Sequence, residues 1–232
     1  MNAALAQPLP LIPAKLCAPA LHPGLLARPR FDEWLQRLPQ VRLAVLQAPS
    51  GFGKTVLASQ WAAAFAGAVA WVNLDDKDNN PRQFGRYLLN ALHARLDGGC
   101  AHSLARAERG EEDLDGLLTR LLAELPAEHP PLLLVLDEFE ALHNRELIAA
   151  LRFFLRNSPA WLTLLVCSRG LPELGVAELR VKRQLLALDA GLLAFEHDEV
   201  QQLLALGLPI AINREQVERL NRRIGGWPCA LQ

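Results

Sequence analysis

The 232-residue chain contains only four lysines, three threonines and four cysteines. The cysteines are scattered without a Cys-x-x-Cys pair, which argues against a disulfide framework and predicts reduced thiols in the cytoplasm. No apolar run approaches the roughly 18 residues that a membrane-spanning helix needs. The first residues lack a basic start and are broken by Pro8, Pro10 and Pro13, unlike a signal peptide. The sequence therefore predicts a cytoplasmic protein without a membrane partner.

The numbers of basic and acidic residues are also nearly equal. The sequence has 24 Lys and Arg against 25 Asp and Glu, a net charge of −1. This balance argues against a dedicated nucleic-acid module, which carries a basic face, and against membrane-surface binding by charge. Hydrophobic residues make up 51% of the chain and charged residues 21%. That composition excludes an intrinsically disordered chain and predicts a sizeable core.

Short apolar runs alternate with longer amphipathic segments between residues 42 and 190, which predicts a parallel sheet covered by helices on both faces. The predicted strands are 42–47, 68–74, 131–137, 161–168 and 184–189. The predicted helices are 25–38, 55–65, 81–96, 113–125, 144–157, 198–206 and 214–223, with a loop at 97–112.

Three regions follow from this pattern. Residues 1–24 are interpreted as an arm that packs through Leu11, Ile12 and Leu16. Residues 25–190 are predicted to form the α/β domain, and we expect residues 191–232 to be the beginning of a small helical domain that is truncated.

The most informative segment is APSGFGKT, residues 48–55, between a predicted strand and a predicted helix. It fits the P-loop pattern G-x-x-x-x-G-K-[ST], except that Ala48 replaces the first glycine. Gly51 and Gly53 permit the backbone to wrap around phosphate oxygens, and Lys54 supplies a positive charge to them. The Thr55 hydroxyl is expected to bind Mg²⁺. The alternative is a glycine-rich turn that holds no ligand, and the flanking strand and helix favour the P-loop. The residues predicted to bind nucleotide here are Gly51, Phe52, Gly53, Lys54, Thr55 and Val56.

A pair of acids, Asp137 and Glu138, ends the apolar strand 131–137. The carboxyl ends of the strands form the ligand crevice in a doubly wound sheet. Asp137 is therefore predicted to hold Mg²⁺, and Glu138 to orient or deprotonate an attacking water. The alternative is that the pair only caps the next helix.

Arg169 follows the strand 161–168 and is predicted to reach the γ-phosphate of a bound nucleotide. The alternative is a surface arginine paired with Glu173 or Glu178. The single strand 68–74 between the P-loop strand and the Asp137 strand resembles the additional-strand P-loop ATPases. This resemblance implies a five-stranded sheet of order 5-1-4-3-2.

A polar cluster follows the second predicted strand and consists of Asp75, Asp76, Asp78 and Asn79. Two interpretations stay open for it. The cluster either orders the attacking water or forms a turn ahead of the helix that begins at Pro81.

Several segments together resemble the ATPase region of MalT-type regulators, which are LuxR-class ATP-dependent transcriptional activators among the signal-transduction (STAND) ATPases. These segments are LIPAKLCAP, LLARPRFDEWL, APSGFGKTVLASQW, LLLVLDEFEAL, LLVCSRGLPELG and GGWPCALQ. By this resemblance, Leu26 and Arg28 border the adenine, and Pro228 of Gly226-Trp227-Pro228 lies against the base.

The resemblance also implies a regulatory switch. The family's resting form holds ADP, exchange to ATP drives self-association and activation of transcription, and slow hydrolysis resets the protein. DNA and a small-molecule inducer would bind only through C-terminal and sensor domains that this chain lacks, so we expect a fragment of a longer protein.

Two other functions remain open from the residues. A P-loop small-molecule kinase would use the loop 97–112, with Arg106 and Arg109, as its lid. An ATPase subunit of a machine such as a transporter is the third possibility, and the lack of an LSGGQ-like segment argues against a transporter.

Overall fold

The structure is a computed structural model that describes residues 10–207 and 214–231. Its centre is a five-stranded parallel sheet in the order β2-β3-β4-β1-β5. This order confirms the predicted additional-strand arrangement. The strands are β1 Leu43–Gln47, β2 Ala68–Asn73, β3 Leu132–Asp137, β4 Leu162–Ser168 and β5 Leu185–Leu188.

Ten α-helices lie in the described part of the chain. They are α1 Asp32–Arg37, α2 Lys54–Ala64, α3 Pro81–His93, α4 Ala101–Arg109, α5 Leu114–Glu124, α6 Arg145–Asn157, α7 Val176–Val181, α8 Ala190–Leu193, α9 His197–Gly207 and α10 Arg214–Ile224. None of the helices in these ranges is long and apolar enough to cross a membrane.

The central strands β3 and β4 are buried along their whole length, because helices cover both faces of the sheet. Successive side chains point to opposite faces, which divides the core in two. Leu134 and Leu164 pack with α3, α5 and α6 on one face. Leu133 and Leu165 pack with Trp61 of α2 on the other.

The register brings the carboxyl ends of neighbouring strands to one edge of the sheet. Gln47 of β1 lies opposite Ser168 of β4, and Asn73 of β2 lies opposite Asp137 of β3. The loops that follow these strands therefore meet at a single edge, which carries Asp137, Glu138 and Arg169 at the ends of β3 and β4.

Two predicted segments were wrong. The segment 97–112 is not a loop throughout, because it contains helix α4, which ends at Gly110 with a left-handed φ of 63°. The side chains that α4 buries are those of the small residues Ser103 and Ala107. The predicted helix 25–38 is shorter, because Arg28 precedes Pro29 and adopts a non-helical conformation.

The arm also differs from its prediction in one residue. Leu11 and Leu16 pack against the core, whereas Ile12 is 54% exposed. Its backbone N–H donates to the hydroxyl of Tyr87 instead. Residues 1–9 of the predicted arm lie outside the described residues.

Candidate nucleotide-binding site

The turn between β1 and α2 has the geometry of an anion cradle. Gly53 precedes α2 with a left-handed φ of 76°, and no side chain caps the amino end of the helix. The first N–H groups of a helix have no intrahelical acceptor and favour negative charge. A Cβ placed on Gly53 would meet no protein atom within 4 Å. The cradle is therefore open where a phosphate would lie.

The side chain of Lys54 is buried and folds back over this turn. Its Nζ donates to the carbonyl oxygens of Ala48 at 2.9 Å and of Pro49 at 3.2 Å. An ammonium group has three donors. The two bonds to the loop hold the charge beside the cradle, and one donor is left for an anion.

Thr55 and Asp137 are 82 positions apart in the sequence and meet at the same sheet edge. The Thr55 Oγ1 donates to the Asp137 Oδ1 at 3.1 Å, and the N–H of Glu138 donates to the same oxygen at 3.0 Å. Asp137 is 2% exposed, and this burial raises the pKa of its carboxyl. A hydroxyl and a carboxylate are ligand types that Mg²⁺ prefers. These residues fit a magnesium site.

Glu138 has a strained backbone, with φ of 56° and ψ of 40°. Such a conformation costs a non-glycine residue of order 1–3 kcal/mol and is concentrated at functional sites. Burial raises the pKa of the Glu138 carboxyl, and the neighbouring Glu140 and Asp137 raise it further. A carboxylate with a raised pKa is a stronger proton acceptor.

Arg169 follows β4, the neighbour of β3, and therefore emerges beside Asp137 and Glu138. Its Nε lies 2.7 Å from Oε1 of Glu140. This ion pair differs from both surface partners considered for Arg169, since Glu178 pairs with Lys182 and no ion pair joins Arg169 to Glu173 among the described residues. The guanidinium side chain is 59% exposed.

A segment from the far end of the chain rests on the P-loop. The indole Nε1 of Trp227 donates to the carbonyl of Ser50 at 3.1 Å, and the N–H of Cys229 donates to that of Gly51 at 3.2 Å. A Cβ on Gly51 would lie 2.6 Å from the Trp227 Nε1. Sequence reasoning missed Trp227 and Cys229 as neighbours of the P-loop. Pro228 lies between them and is buried, and its contact with the base stays a prediction.

The residues predicted to border the adenine are held by other contacts. The carbonyl of Leu26 accepts a hydrogen bond from Gln60 of α2 at 2.9 Å. The guanidinium of Arg28 donates to Glu199 at 2.8 and 3.1 Å, and to the Leu193 carbonyl at 2.9 Å. Arg28 therefore joins the segment before α1 to α8 and α9. Contact of Leu26 or Arg28 with adenine stays a prediction.

The remaining P-loop residues have mixed surroundings. Phe52 is partly buried against the core that contains Trp61. Val56 lies in the first turn of α2, where its N–H belongs to the open helix end. Nucleotide contact by either residue stays a prediction.

The polar cluster after β2 forms a turn that anchors the arm. Asp75 accepts from the N–H of Lys77 at 2.9 Å and caps the short 3-10 helix Asp76–Asn79. Asp78 is fully buried and pairs with Lys15 of the arm. These contacts support the turn interpretation of the cluster.

The arginines considered for a kinase lid are paired locally. Arg106 lies 3.2 Å from a carboxylate oxygen of Glu112, and Arg109 lies 2.5 Å from one of Glu111. Helix α4, which carries both arginines, packs against α3 and α5. Arg106 and Arg109 are therefore engaged with neighbouring glutamates and do not support the kinase interpretation, which uses them as a lid.

Comparison with known proteins places the fold and the P-loop in a family. Residues 30–167, more than half of the chain, match the family model described as AAA ATPase domain. The chain belongs to the AAA ATPase domain family. It is also 40% identical, over 223 residues, to the HTH-type transcriptional regulator MalT of Cronobacter sakazakii (strain ATCC BAA-894). That match confirms the MalT-type resemblance.

The alignment with MalT covers 96% of this chain and 25% of MalT, so the chain spans about a quarter of the length of that relative. Among solved structures, the Walker-type ATPase PABY2304 of Pyrococcus abyssi superposes with a TM-score of 0.51 at 14% identity. The superposition covers 87% of this AAA ATPase domain chain and 65% of the other. At this identity the likeness establishes the fold.

Proposed function

We propose that this chain is the ATP- and ADP-binding switch module of a transcriptional activator, with Mg²⁺ as its metal. The observation that carries the proposal is the hydrogen bond between Thr55 and Asp137, which joins the first turn after the P-loop to the end of β3. The Thr55 hydroxyl and the buried Asp137 carboxylate lie together beside the anion cradle. This combination suits a magnesium nucleotide better than a phosphate group alone.

Each group at the site has a task in this proposal. The N–H groups at the start of α2 and the Lys54 ammonium hold the β- and γ-phosphates. Thr55 and Asp137 would hold Mg²⁺, which would supply positive charge beside the phosphate oxygens. Glu138 orients or deprotonates the attacking water, and Arg169 contacts the γ-phosphate.

Hydrolysis is proposed to be slow and to reset a switch. In the absence of activation the module holds ADP, and exchange to ATP favours self-association. MalT is by its printed name an HTH-type transcriptional regulator. By analogy, DNA and a small-molecule inducer are proposed to act through regions of a longer polypeptide, and the nucleotide state of this module gates transcription.

The first prediction concerns Lys54→Ala. Loss of the charge should weaken binding of fluorescent ADP and ATP by roughly 10- to 150-fold, because hydrogen bonds to charged groups contribute about 1.5–3 kcal/mol. Lys182→Ala is the matched control, since Lys182 is exposed and pairs with Glu178 on α7. Titration of the whole chain, with circular dichroism to check folding, measures both. Equal affinity of folded Lys54→Ala and the unaltered chain would refute the site.

Two further measurements test the metal and the switch. Thr55→Val keeps the side-chain shape and removes the hydroxyl, so it should lower the Mg²⁺-dependent part of the affinity while ADP binding in EDTA is unchanged. Analytical ultracentrifugation with a slowly hydrolysed ATP analogue should show a heavier species than with ADP. An identical mass with both nucleotides would remove self-association from the proposal for this chain.

A further inference from the structure

Glu140 carries a buried carboxylate beside the nucleotide site to which the proposed function gives no task. Both of its carboxylate oxygens are shielded from solvent, and neither accepts a hydrogen bond within residues 10–207 and 214–231. The Nε of Arg169 lies 2.7 Å from Oε1 and forms the ion pair. Buried polar atoms without hydrogen bonds are rare because they cost free energy. Arg169 is thus the counter-ion of a carboxylate whose oxygens still lack a hydrogen-bond donor in the described part of the chain.

The backbone that carries Glu140 is fixed in place. Glu140 lies in the short 3-10 helix Phe139–Ala141, whose Phe139 side chain is 3% exposed. The N–H of Ala141 donates to the carbonyl of Glu138 at 2.9 Å, and the Ala141 carbonyl accepts from Asn79 at 2.8 Å. Hydrogen bonds therefore hold the backbone next to Glu140.

Arg169 has the opposite properties. Its side chain is 59% exposed, and in the described part of the chain it forms an ion pair with Glu140. It leaves β4 beside the end of β3, where the γ-phosphate is proposed to lie. A long, exposed arginine loses little when it exchanges one anion for another.

We propose that Glu140 is a positioning residue that competes with the γ-phosphate of ATP for Arg169, and so sets the preference of the site for ATP over ADP. The inference rests on the proposed function, since it requires nucleotide in the P-loop. ADP has no γ-phosphate and leaves Arg169 with Glu140. ATP binds Arg169 only if the arginine leaves Glu140. The ion pair therefore lowers the affinity of the site for ATP by the free energy of that exchange.

The test uses Glu140→Gln, which removes the charge and keeps the shape. Its affinity for a slowly hydrolysed ATP analogue should rise by roughly two- to fivefold, the range of a partly exposed ion pair. Its affinity for ADP should stay within about twofold of the unaltered chain, so the ratio of the two dissociation constants shifts. Glu140→Asp should restore the ratio at least in part. Glu173→Gln is the matched control, because Glu173 is an exposed acid in the loop after the same strand.

Arg169→Ala shows whether the effect passes through the arginine. In that background Glu140→Gln should change the ratio by less than it does alone, and Arg169→Ala by itself should weaken the ATP analogue and spare ADP. A structural role for Glu140 would change both affinities together.

The proposal is overturned if Glu140→Gln leaves the ratio unchanged, weakens the ATP analogue, or acts equally without Arg169. If Glu140→Gln does not fold, Arg169→Ala decides, and an unchanged ratio in that variant overturns the proposal. Failure of the unaltered chain to bind any nucleotide would instead refute the proposed function itself. The two failures are therefore distinguishable.

Discussion

Glu199 on α9 joins the helical segment to the α/β domain, and its removal should have a large effect on stability. Its carboxylate accepts from Arg28 at 2.8 and 3.1 Å, and from Arg30 at 3.0 and 3.1 Å. It also accepts from the N–H of Glu196 at 2.8 Å. Arg28 is 8% exposed and lies between the rings of Phe31 and Phe195. Glu199→Ala would leave this guanidinium buried with backbone carbonyls as its remaining acceptors.

Breaking a buried ion pair by removing one partner costs about 3–5 kcal/mol. For a chain of 150–250 residues, each 1 kcal/mol lowers the melting temperature by about 2–4 °C. Glu199→Ala should therefore lower the melting temperature by roughly 6–20 °C. The retained carbonyls of Leu193 and Ala194 place the result toward the lower end of that range.

Thermal unfolding followed by circular dichroism, together with limited proteolysis of the α8–α10 segment, measures this prediction. Glu218→Ala is the control, because Glu218 forms an exposed ion pair with Arg214 within helix α10. The control should change stability by less than about 0.5 kcal/mol. A Glu199→Ala variant that stays within 1 kcal/mol of the unaltered chain and resists protease equally would refute the buried-clamp reasoning.

The same residue gives a pH dependence with a definite sign. Burial by itself would raise the pKa of Glu199, but the hydrogen bonds from Arg28 and Arg30, together with the N–H of Glu196 and the charge of Arg28, lower it overall. A carboxyl group with a lowered pKa in the folded state stabilises the protein fully above its unfolded pKa. This stabilisation is lost as the pH falls below the ordinary glutamate range and through the folded pKa. The unaltered chain should therefore lose more stability than Glu199→Gln on acidification in that window.

Two further predictions concern the P-loop contact and the cysteines. Gly51→Ala should destabilise the chain by of order 1–3 kcal/mol and change its tryptophan fluorescence, because φ is 82° and the added Cβ would lie 2.6 Å from the indole Nε1 of Trp227. Gly170→Ala, where no atom lies within 4 Å, is the control, and equal effects of both substitutions would contradict the contact. Burial raises the pKa of the Cys100 thiol to about 12 and that of Cys167 well above its ordinary value. At pH 8 a thiol reagent should therefore label the exposed Cys17 and Cys229 rapidly, and rapid labelling of all four thiols would contradict the described core.

The sequence was sufficient for the sheet because its signals are local. The continuous apolar runs of β3 and β4 are typical of strands covered on both faces. Gly53 and Lys54 are adjacent in one motif, so the P-loop could be predicted without knowing any contact between distant residues. Helix α4 escaped prediction because the residues that it buries include Ser103, whose Oγ donates to Glu124 at 2.9 Å. The sequence does not identify a polar residue as buried when a tertiary contact is what satisfies it.

By itself the sequence determined the five strands and their order by resemblance, the P-loop, and the acids at the end of β3. Tertiary structure decided which residues meet across long separations in the chain. Arg169 pairs with Glu140 instead of Glu173, Trp227 reaches Ser50, and Arg28 reaches Glu199. The physical reason is that a local period records which face of an element is buried. It carries no record of which charged or polar group, 29 to 177 positions away, lies opposite that face.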